Sequence, residues 1–310
     1  MMVAQLLLVL AVRAESTPLS PFMSPTRVTR TGSTAFVKAC PNVNLTLVPT
    51  VFAFHDEGVE QMNCDDGHSV ELELLQLANL LQQETPADYW HLPTGFIVHA
   101  ARVGSTAAAN MVGAHKDVVV LKEAGAVTDI LMWALPSLSG RRRQRREQQQ
   151  LRQLAVRALQ VVVQLFFRSS ASQRLSEFSR NSVPNANELA GRTRLVFKLA
   201  SAGSASAEQL SLLRAAFPDA PIGYMVRDPV ASVASLLAAP QQAHEMLTSP
   251  CLRWRGRLAR AQLPVTLQLA NATDPLKLTM EQYCAAHIGA LHTAMSRQIE
   301  ADGGLADARR

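Results

Sequence analysis

The chain of 310 residues and 33.7 kDa is long enough for one large domain with a smaller extension. Hydrophobic residues form 48% of it and charged residues 18%, a composition that supports a sizeable core and excludes a globally disordered protein. The net charge of +5 is matched by the five arginines between Arg141 and Arg146, so the remaining charge is balanced and a nucleic-acid-binding protein is not predicted.

The N-terminus predicts a secretory leader followed by a stalk. Residues 2–12 are apolar apart from Gln5, and small residues at Val12 and Ala14 fit a signal-peptidase site, so residues 1–14 are predicted to be a signal peptide. Residues 15–35, rich in Ser, Thr and Pro, predict a flexible stalk. No later stretch reaches the ~18 apolar residues of a membrane span. We therefore expect a Golgi-luminal or secreted protein that contacts a membrane only if its leader is retained.

Residues 36–90 are predicted to be a small region closed by a disulfide, with a helical pattern over 72–81. The four cysteines allow three pairings, of which the simplest joins neighbours near each end of the chain, Cys40–Cys64 and Cys251–Cys284. Such bridges belong to an oxidising compartment, in agreement with the predicted leader.

Two glycosylation sequons, at Asn44 and Asn271, become relevant if the chain enters that compartment. His55-Asp56-Glu57 and Cys64-Asp65-Asp66-Gly67-His68 contain side chains able to bind a metal. Their ligand spacing does not repeat, so turns beside a disulfide are the default interpretation and no metal is predicted.

From residue 93 onward, short apolar runs alternate with helical patterns. The predicted strands are residues 95–98, 117–121, 194–199 and 221–226, and the predicted helices are residues 107–112, 147–167, 207–216, 229–237 and 280–299. Apolar strands separated by helices are typical of a parallel sheet that is covered on both faces. We therefore predict an α/β domain over residues 91–310, with a three-layer parallel sheet and a helical C-terminal part.

The first predicted strand leads into a loop suited to anion binding, since ligands of such sheets lie beyond the carboxyl ends of the strands. It ends at His99, and Arg102-Val103-Gly104-Ser105-Thr106 then precedes a helix. Amides of a glycine-containing loop at a helix N-terminus can bind an anion, and the two hydroxyls add donors. The loop lacks the lysine of a Walker A motif. A similar run at residues 31–34 has no predicted strand before it and is discounted.

The fourth predicted strand ends at Arg227-Asp228-Pro229, and Ser235 lies on the helix that follows. A guanidinium and a hydroxyl in these positions can hold one phosphate between them. An ordinary helix start, with a proline at the first helical position, accounts for the same residues without a ligand. The second loop therefore indicates a phosphate site only in combination with the first loop.

Together, the two loops in this order resemble the sulfotransferase family over about residues 93–240, and its Golgi, carbohydrate-directed members more than its cytosolic branch. The resemblance implies a P-loop-like fold and transfer of a sulfuryl group from 3′-phosphoadenosine-5′-phosphosulfate to a hydroxyl or amine, without a metal. It implies that the Arg102, Val103, Gly104, Ser105 and Thr106 loop binds the 5′-phosphosulfate. Arg227 and Ser235 would then hold the 3′-phosphate.

The same resemblance implies the catalytic residues. Arg102 would neutralise charge on the leaving phosphate. Glu123, just past the second predicted strand, would be the general base; a solvated carboxylate paired with Lys122 or Lys116 is the alternative interpretation. His99 and His115 are further candidates for the base.

Lys198 resembles the lysine of the Lys-Thr-His element in the cytosolic branch, but Ala200 occupies the position of its histidine. The base must therefore come from elsewhere in the chain.

Two other functions stay open at this point: a different P-loop enzyme, such as a small-molecule or nucleotide kinase, and a non-catalytic secreted relative. The acceptor is also open among a glycan, a protein and a small hydroxyl compound. The arginine run at residues 141–146 is interpreted as a solvated loop and helix start, with a processing site or an anionic-polymer contact as alternatives.

Overall fold

The computed structural model describes residues 24–31, 34–40, 69–84, 92–115, 117–133, 144–178, 194–200, 206–238 and 263–302. The strands are β1 (Ser24–Thr31), β2 (Thr34–Cys40), β3 (Val70–Glu73), β4 (Gly95–His99), β5 (Val118–Lys122), β6 (Arg194–Lys198) and β7 (Ile222–Met225). The helices are α1 (Leu74–Glu84), α2 (Ser105–Gly113), α3 (Gly125–Trp133), α4 (Gln144–Phe178), α5 (Ala207–Ala216), α6 (Pro229–Leu237), α7 (Leu263–Leu269) and α8 (Met280–Ala301). A short 3₁₀ turn, Pro275–Lys277, precedes α8.

The main sheet is parallel, as predicted, and has the strand order β5-β6-β4-β7. Its two faces pack against different helices because successive side chains of a strand point to opposite sides. Ala109 of α2 packs with Val120 and Val196 on one face. On the other face Phe197 meets Phe166 of α4, with ring centroids 5.6 Å apart. Helices therefore flank the sheet, and the α/β fold is confirmed.

The helices that follow β6 and β7 have the predicted bounds, 207–216 and 229–237, because their caps are explicit in the sequence. Ser206 accepts a hydrogen bond from the Gln209 amide at 3.2 Å, and the Gln209 side chain accepts one from Ser206 in return. The Asp228 side chain accepts from the Ala231 amide at 2.7 Å, with Pro229 at the first helical position. Each such cap stabilises its helix by ~1 kcal/mol.

Other helices differ from the prediction. α4 begins at Gln144 and ends at Phe178, beyond both bounds of the predicted 147–167, so the arginine run enters its first turn. α3 was not predicted, and α7 lies in the C-terminal part that was predicted to be helical without bounds for this helix. α3 buries Ala126, Val127, Ile130 and Leu131 within nine residues, so it lacks the polar face that reveals an amphipathic helix.

The predicted stalk is wrong for residues 24–31, 34 and 35, because β1 and β2 form an antiparallel hairpin in which Thr31 pairs with Thr34. Thr31 is therefore the last residue of a strand, and the run at residues 31–34 connects the two strands of a hairpin rather than a strand and a helix. Strand β1 buries Val28 and exposes Arg27, which forms two hydrogen bonds of 2.8 and 2.9 Å with Asp129 of α3. The alternation was missed because the inward positions of β1 include serine and threonine.

The predicted helical pattern over 72–81 is divided between two elements. Leu72 lies in β3 and pairs with Val37 of the hairpin, so β1, β2 and β3 form a second, antiparallel sheet. The helix α1 begins at Leu74, and Leu74, Leu77, Ala78 and Leu81 bury its inner face. The apolar spacing is correct for α1, but Leu72 belongs to the strand before it.

The cysteines that the structure describes, Cys40 in β2 and Cys284 in α8, are buried, and neither is a free thiol. Cys64 and Cys251 lie outside the described residues, as do Asn44 and residues 55–68, so the predicted pairing stays a prediction. Asn271, the other sequon asparagine, is exposed just after α7. Among the described helices, none combines the length and apolar character needed to cross a bilayer.

The buried imidazole of His287 makes the fold acid-sensitive. It lies inside α8 with its ring stacked on Tyr283, centroids 5.8 Å apart, and burial lowers its pKa from 6.5 to about 4. In the unfolded chain His287 binds a proton below pH 6.5, whereas in the folded chain it binds one only below about pH 4. Stability therefore falls as the pH drops through this window, by ~3 kcal/mol from this group.

We expect His287→Phe, which keeps an aromatic ring against Tyr283, to lose this part of the pH dependence. The measurement is urea unfolding near pH 7 and about pH 4.5, with the difference in free energy of unfolding compared between variants. His115→Gln, at an exposed histidine, is the matched control and should retain the wild-type slope. Equal slopes in His287→Phe and the wild type would contradict the assignment.

Candidate functional site

Apart from His115, the predicted site residues lie at the carboxyl edge of the parallel sheet. Strand β4 is central: the chain leaves it for α2 and β5 on one side, while β7 pairs with its other side. Such a change of direction opens a crevice between the loops that follow the strands. The loops after β4 and β7 are the two predicted to bind an anion.

The loop after β4 turns sharply before it enters α2. Arg102 has φ 60° and Gly104 has φ 83°, both in the left-handed region, which costs a non-glycine residue ~1 kcal/mol. A Cβ placed on Gly104 would meet no atom within 4 Å, so the space in front of the loop is open. The partly buried side chain of Val103 packs against the core and fixes the position of the strained turn.

The N-terminus of α2 is suited to an anion. Gly104 is its N-cap, and among the described residues no side chain caps it, which leaves the first amide N–H groups available. Ser105 is buried and Thr106 half-buried, so both hydroxyl residues belong to the first turn of the helix. An open cradle of uncapped amides and hydroxyls fits a phosphate or phosphosulfate group.

The two loops meet, although they are more than a hundred residues apart. The Arg102 Nε donates to Ser235 Oγ at 3.2 Å, across 133 positions of sequence. The Arg227 Nη1 donates to the Arg102 carbonyl at 3.4 Å. Arg102 and Arg227 are exposed and Ser235 is half-buried, so both guanidinium groups remain accessible to an anion. The structure therefore brings together Arg102, Ser235 and Arg227, as the paired motifs require.

Glu123 lies at the same edge, directly after β5. Its φ of 57° places it in the left-handed region, and its amide donates to the Lys198 carbonyl at 2.7 Å. The Lys198 ammonium, buried at the end of β6, forms an ion pair with Glu123 Oε1. A strained backbone at a titratable residue is often a sign of function.

The alternative that pairs Glu123 with Lys122 or Lys116 differs from the structure. Lys122 Nζ donates to the Asn110 Oδ1 of α2 at 3.1 Å, and Lys116 lies outside the described residues. Glu123 lies just after β5 with a left-handed backbone, and its carboxylate contacts Lys198, which is paired with Lys122 in the sheet. The contribution of Asn110 was not predicted, because only the packing of α2 on the sheet brings it to Lys122.

His99, the last residue of β4, is buried beside Glu123. Its Nδ1 lies 2.9 Å from the Ala100 carbonyl, and its Nε2 is 3.9 Å from Glu123 Oε1. Burial first, and the Lys198 charge second, lower the pKa of His99, against smaller opposing effects of the Ala100 and Leu199 carbonyls and of Glu123. The imidazole is therefore neutral at physiological pH.

His115, the other reserve candidate for the base, lies elsewhere. It follows the C-terminal end of α2 and its Nδ1 accepts from the Asp117 amide at 3.3 Å, immediately before β5 begins. This is the amino edge of the sheet, opposite the two loops. His115 is therefore excluded as the base by position. Within the described ranges, no group of three or more potential metal-ligating side chains is present.

The sequence model described as the sulfotransferase family matches residues 93–264, which is more than half of the chain. The match contains both loops, Glu123 and the whole parallel sheet. No curated protein and no solved structure matches the chain significantly.

Proposed function

Because this chain belongs to the sulfotransferase family, we propose that it transfers a sulfuryl group from 3′-phosphoadenosine-5′-phosphosulfate to the hydroxyl or amine of an acceptor. Family membership supports sulfuryl transfer in general. The observation that carries the choice of donor is the convergence of Arg102, Ser235 and Arg227 beside the uncapped start of α2. Such a donor has anionic groups at two separate points, and the crevice offers one cationic or amide-lined loop for each.

In this proposal the residues of the first loop hold the phosphosulfate end of the donor. The α2 amides and the Ser105 and Thr106 hydroxyls bind its non-bridging oxygens, and Gly104 leaves the space that they need. Arg227 and Ser235 hold the 3′-phosphate. Arg102, which begins the first loop and contacts Ser235, neutralises the charge that develops on the leaving phosphate.

The transfer forms one bond and breaks another at sulfur. The acceptor oxygen or nitrogen bonds to sulfur while the sulfur–oxygen bond to the 5′-phosphate breaks, and its electron pair stays with the bisphosphate product. Glu123 takes the acceptor proton. The site achieves this by positioning and by fixed charges, in the manner of phosphoryl transfer.

We propose a carbohydrate-type enzyme of the Golgi lumen or the secreted fraction. The leader, the sequons and the position of Glu123 after the second strand of the sheet, which resembles that of carbohydrate-directed members, support this compartment and class. Hydroxyl-bearing glycans are therefore the first acceptors to screen, followed by protein and small-molecule hydroxyls.

The donor is tested by calorimetric titration with 3′-phosphoadenosine 5′-phosphate. We expect binding that Arg227→Ala weakens by ~10- to 100-fold, the value of one or two hydrogen bonds between charged groups. Arg297→Ala, which removes an exposed guanidinium from α8, is the matched control and should bind as the wild type does.

ATP with Mg²⁺ is the comparison ligand. Binding of ATP–Mg²⁺ alone would assign the chain to the kinase class and overturn the proposal. A folded protein that binds neither nucleotide would be the non-catalytic relative. Wild-type affinity in Arg227→Ala would contradict the assigned role of the second loop.

A further inference from the structure

One nitrogen of the His99 ring, Nε2, is buried without a hydrogen-bond partner among the described residues. Nδ1 lies 2.9 Å from the Ala100 carbonyl, and because a carbonyl only accepts, we assign the single ring proton to Nδ1. In the neutral ring, Nε2 is then a bare acceptor. It is buried and has no hydrogen-bond partner in the part of the chain that the structure describes. A buried polar atom left in this state costs ~1–3 kcal/mol, so its retention calls for a function.

The Glu123 carboxylate lies 3.9 Å from Nε2. While Glu123 is ionised, two acceptors face each other and no proton lies between them, which explains the long distance. A proton on Glu123 would convert this contact into an O–H donor facing a bare nitrogen. A shift of the carboxyl group by ~1 Å would then close the gap to a normal hydrogen bond.

Exposure separates the roles of the three side chains in this cluster. Glu123 is 27% exposed, whereas His99 is 5% and Lys198 is 2% exposed. An acceptor in the crevice therefore reaches Glu123 and reaches neither His99 nor Lys198. Lys198 stabilises the ionised carboxylate, and His99 faces the same carboxylate from below with an empty acceptor site.

We propose that His99 is a positioning residue that accepts the hydrogen bond of Glu123 when Glu123 has taken the acceptor proton. Lys198 stabilises the ionised carboxylate of Glu123 before the proton transfer, and His99 stabilises the protonated carboxyl group afterwards. Lys198 and His99 together would stabilise the Glu123 side chain in both of its protonation states. This inference rests on the proposed function, because it requires Glu123 to be the base.

Two substitutions of His99 separate this role from packing. Asn places its amide near the Nδ1 position and has no atom near Nε2, whereas Gln places its amide near Nε2. We expect His99→Asn to lower kcat by ~10- to 100-fold with unchanged affinity for the bisphosphate, as for the loss of one strong hydrogen bond. We expect His99→Gln to recover most of kcat, which a purely structural role would not predict.

A double-mutant cycle with Glu123→Gln tests the dependence on the base. We expect His99→Asn to have no further effect on kcat in the Glu123→Gln background, because residue 123 then takes no proton and His99 has no proton transfer to assist. Independent effects of the two substitutions, or wild-type kcat in His99→Asn, would overturn the role of His99 while leaving the sulfotransferase proposal intact. Wild-type kcat in Glu123→Gln would overturn the assigned base, and the His99 inference with it.

A spectroscopic measurement without any acceptor gives a second test. The ¹⁵N shifts of the His99 ring near neutral pH are expected to show a protonated Nδ1 and a bare Nε2. A proton on Nε2 instead would overturn the proposal, whatever the kinetics of the variants. Bisphosphate binding by each variant establishes that it has folded.

Discussion

Replacing Arg102 with alanine is expected to lower kcat by ~10²-fold or more while the affinity for the bisphosphate falls much less. The charge on the bridging oxygen grows only as the sulfur–oxygen bond breaks, so a cation placed there acts mainly on the transition state. Arg102 is suited to this proposed role because its strained turn, at the start of the first loop, holds its Nε 3.2 Å from Ser235 Oγ. Steady-state kinetics with a glycan acceptor, together with bisphosphate titration, separate the two effects.

The control for Arg102 is Arg194→Ala, which removes an exposed guanidinium from the opposite end of a strand in the same sheet. It should leave kcat unchanged. Arg102→Lys, which keeps a positive charge but loses the planar fork, is expected to lie between the alanine variant and the wild type. Equal turnover in Arg102→Ala and the wild type would reject its catalytic assignment.

Glu123→Gln is expected to lower kcat by ~10²- to 10⁴-fold, the usual contribution of a general base, with little change in bisphosphate affinity. Glutamine keeps the shape of the side chain and an oxygen for Lys198 but cannot take a proton. The substitution also removes the negative charge that contacts the buried Lys198 ammonium, which destabilises the fold. Its free energy of unfolding must therefore be measured beside its kinetics.

Two further variants make the Glu123 result interpretable. Glu300→Gln neutralises an exposed carboxylate at the end of α8 and should retain wild-type kcat. The double variant Glu123→Gln/Lys198→Met removes both charges of the buried pair, and we expect it to regain stability without regaining turnover. Recovery of turnover in this double variant would show that the loss came from the changed surroundings of Lys198 and not from a missing base.

The sheet was predictable because each strand carries its own local signal. The apolar runs that contain Ile97, Val120 and Val196 are buried on both faces, and burial on both faces is what a continuous run of apolar residues indicates. The helices α5 and α6 were predictable for a similar reason, since their caps, Ser206 and Asp228, lie beside the residues that they cap. Local chemistry of this kind is visible in the order of residues alone.

The N-terminal hairpin was not predictable in the same way. In β1 the residues that point inward include Ser24 and Thr26, and the strand is held by the distant Asp129 of α3. A polar strand gains its stability from cross-strand pairing and from such a tertiary contact, and neither leaves a periodic apolar pattern. A segment rich in serine and threonine therefore appeared to be a stalk.

The sequence by itself determined the parallel α/β architecture, the two candidate loops and the candidate residues on them, because spacing along one strand or one loop encodes these features. Only the tertiary structure decided which side chains meet. The pairing of Glu123 with Lys198 rather than Lys122, the contact of Arg102 with Ser235 and the placement of His99 beneath Glu123 depend on the strand order β5-β6-β4-β7. Strand order is set by packing between segments far apart in the chain, and such long-range pairing carries no local sequence signal.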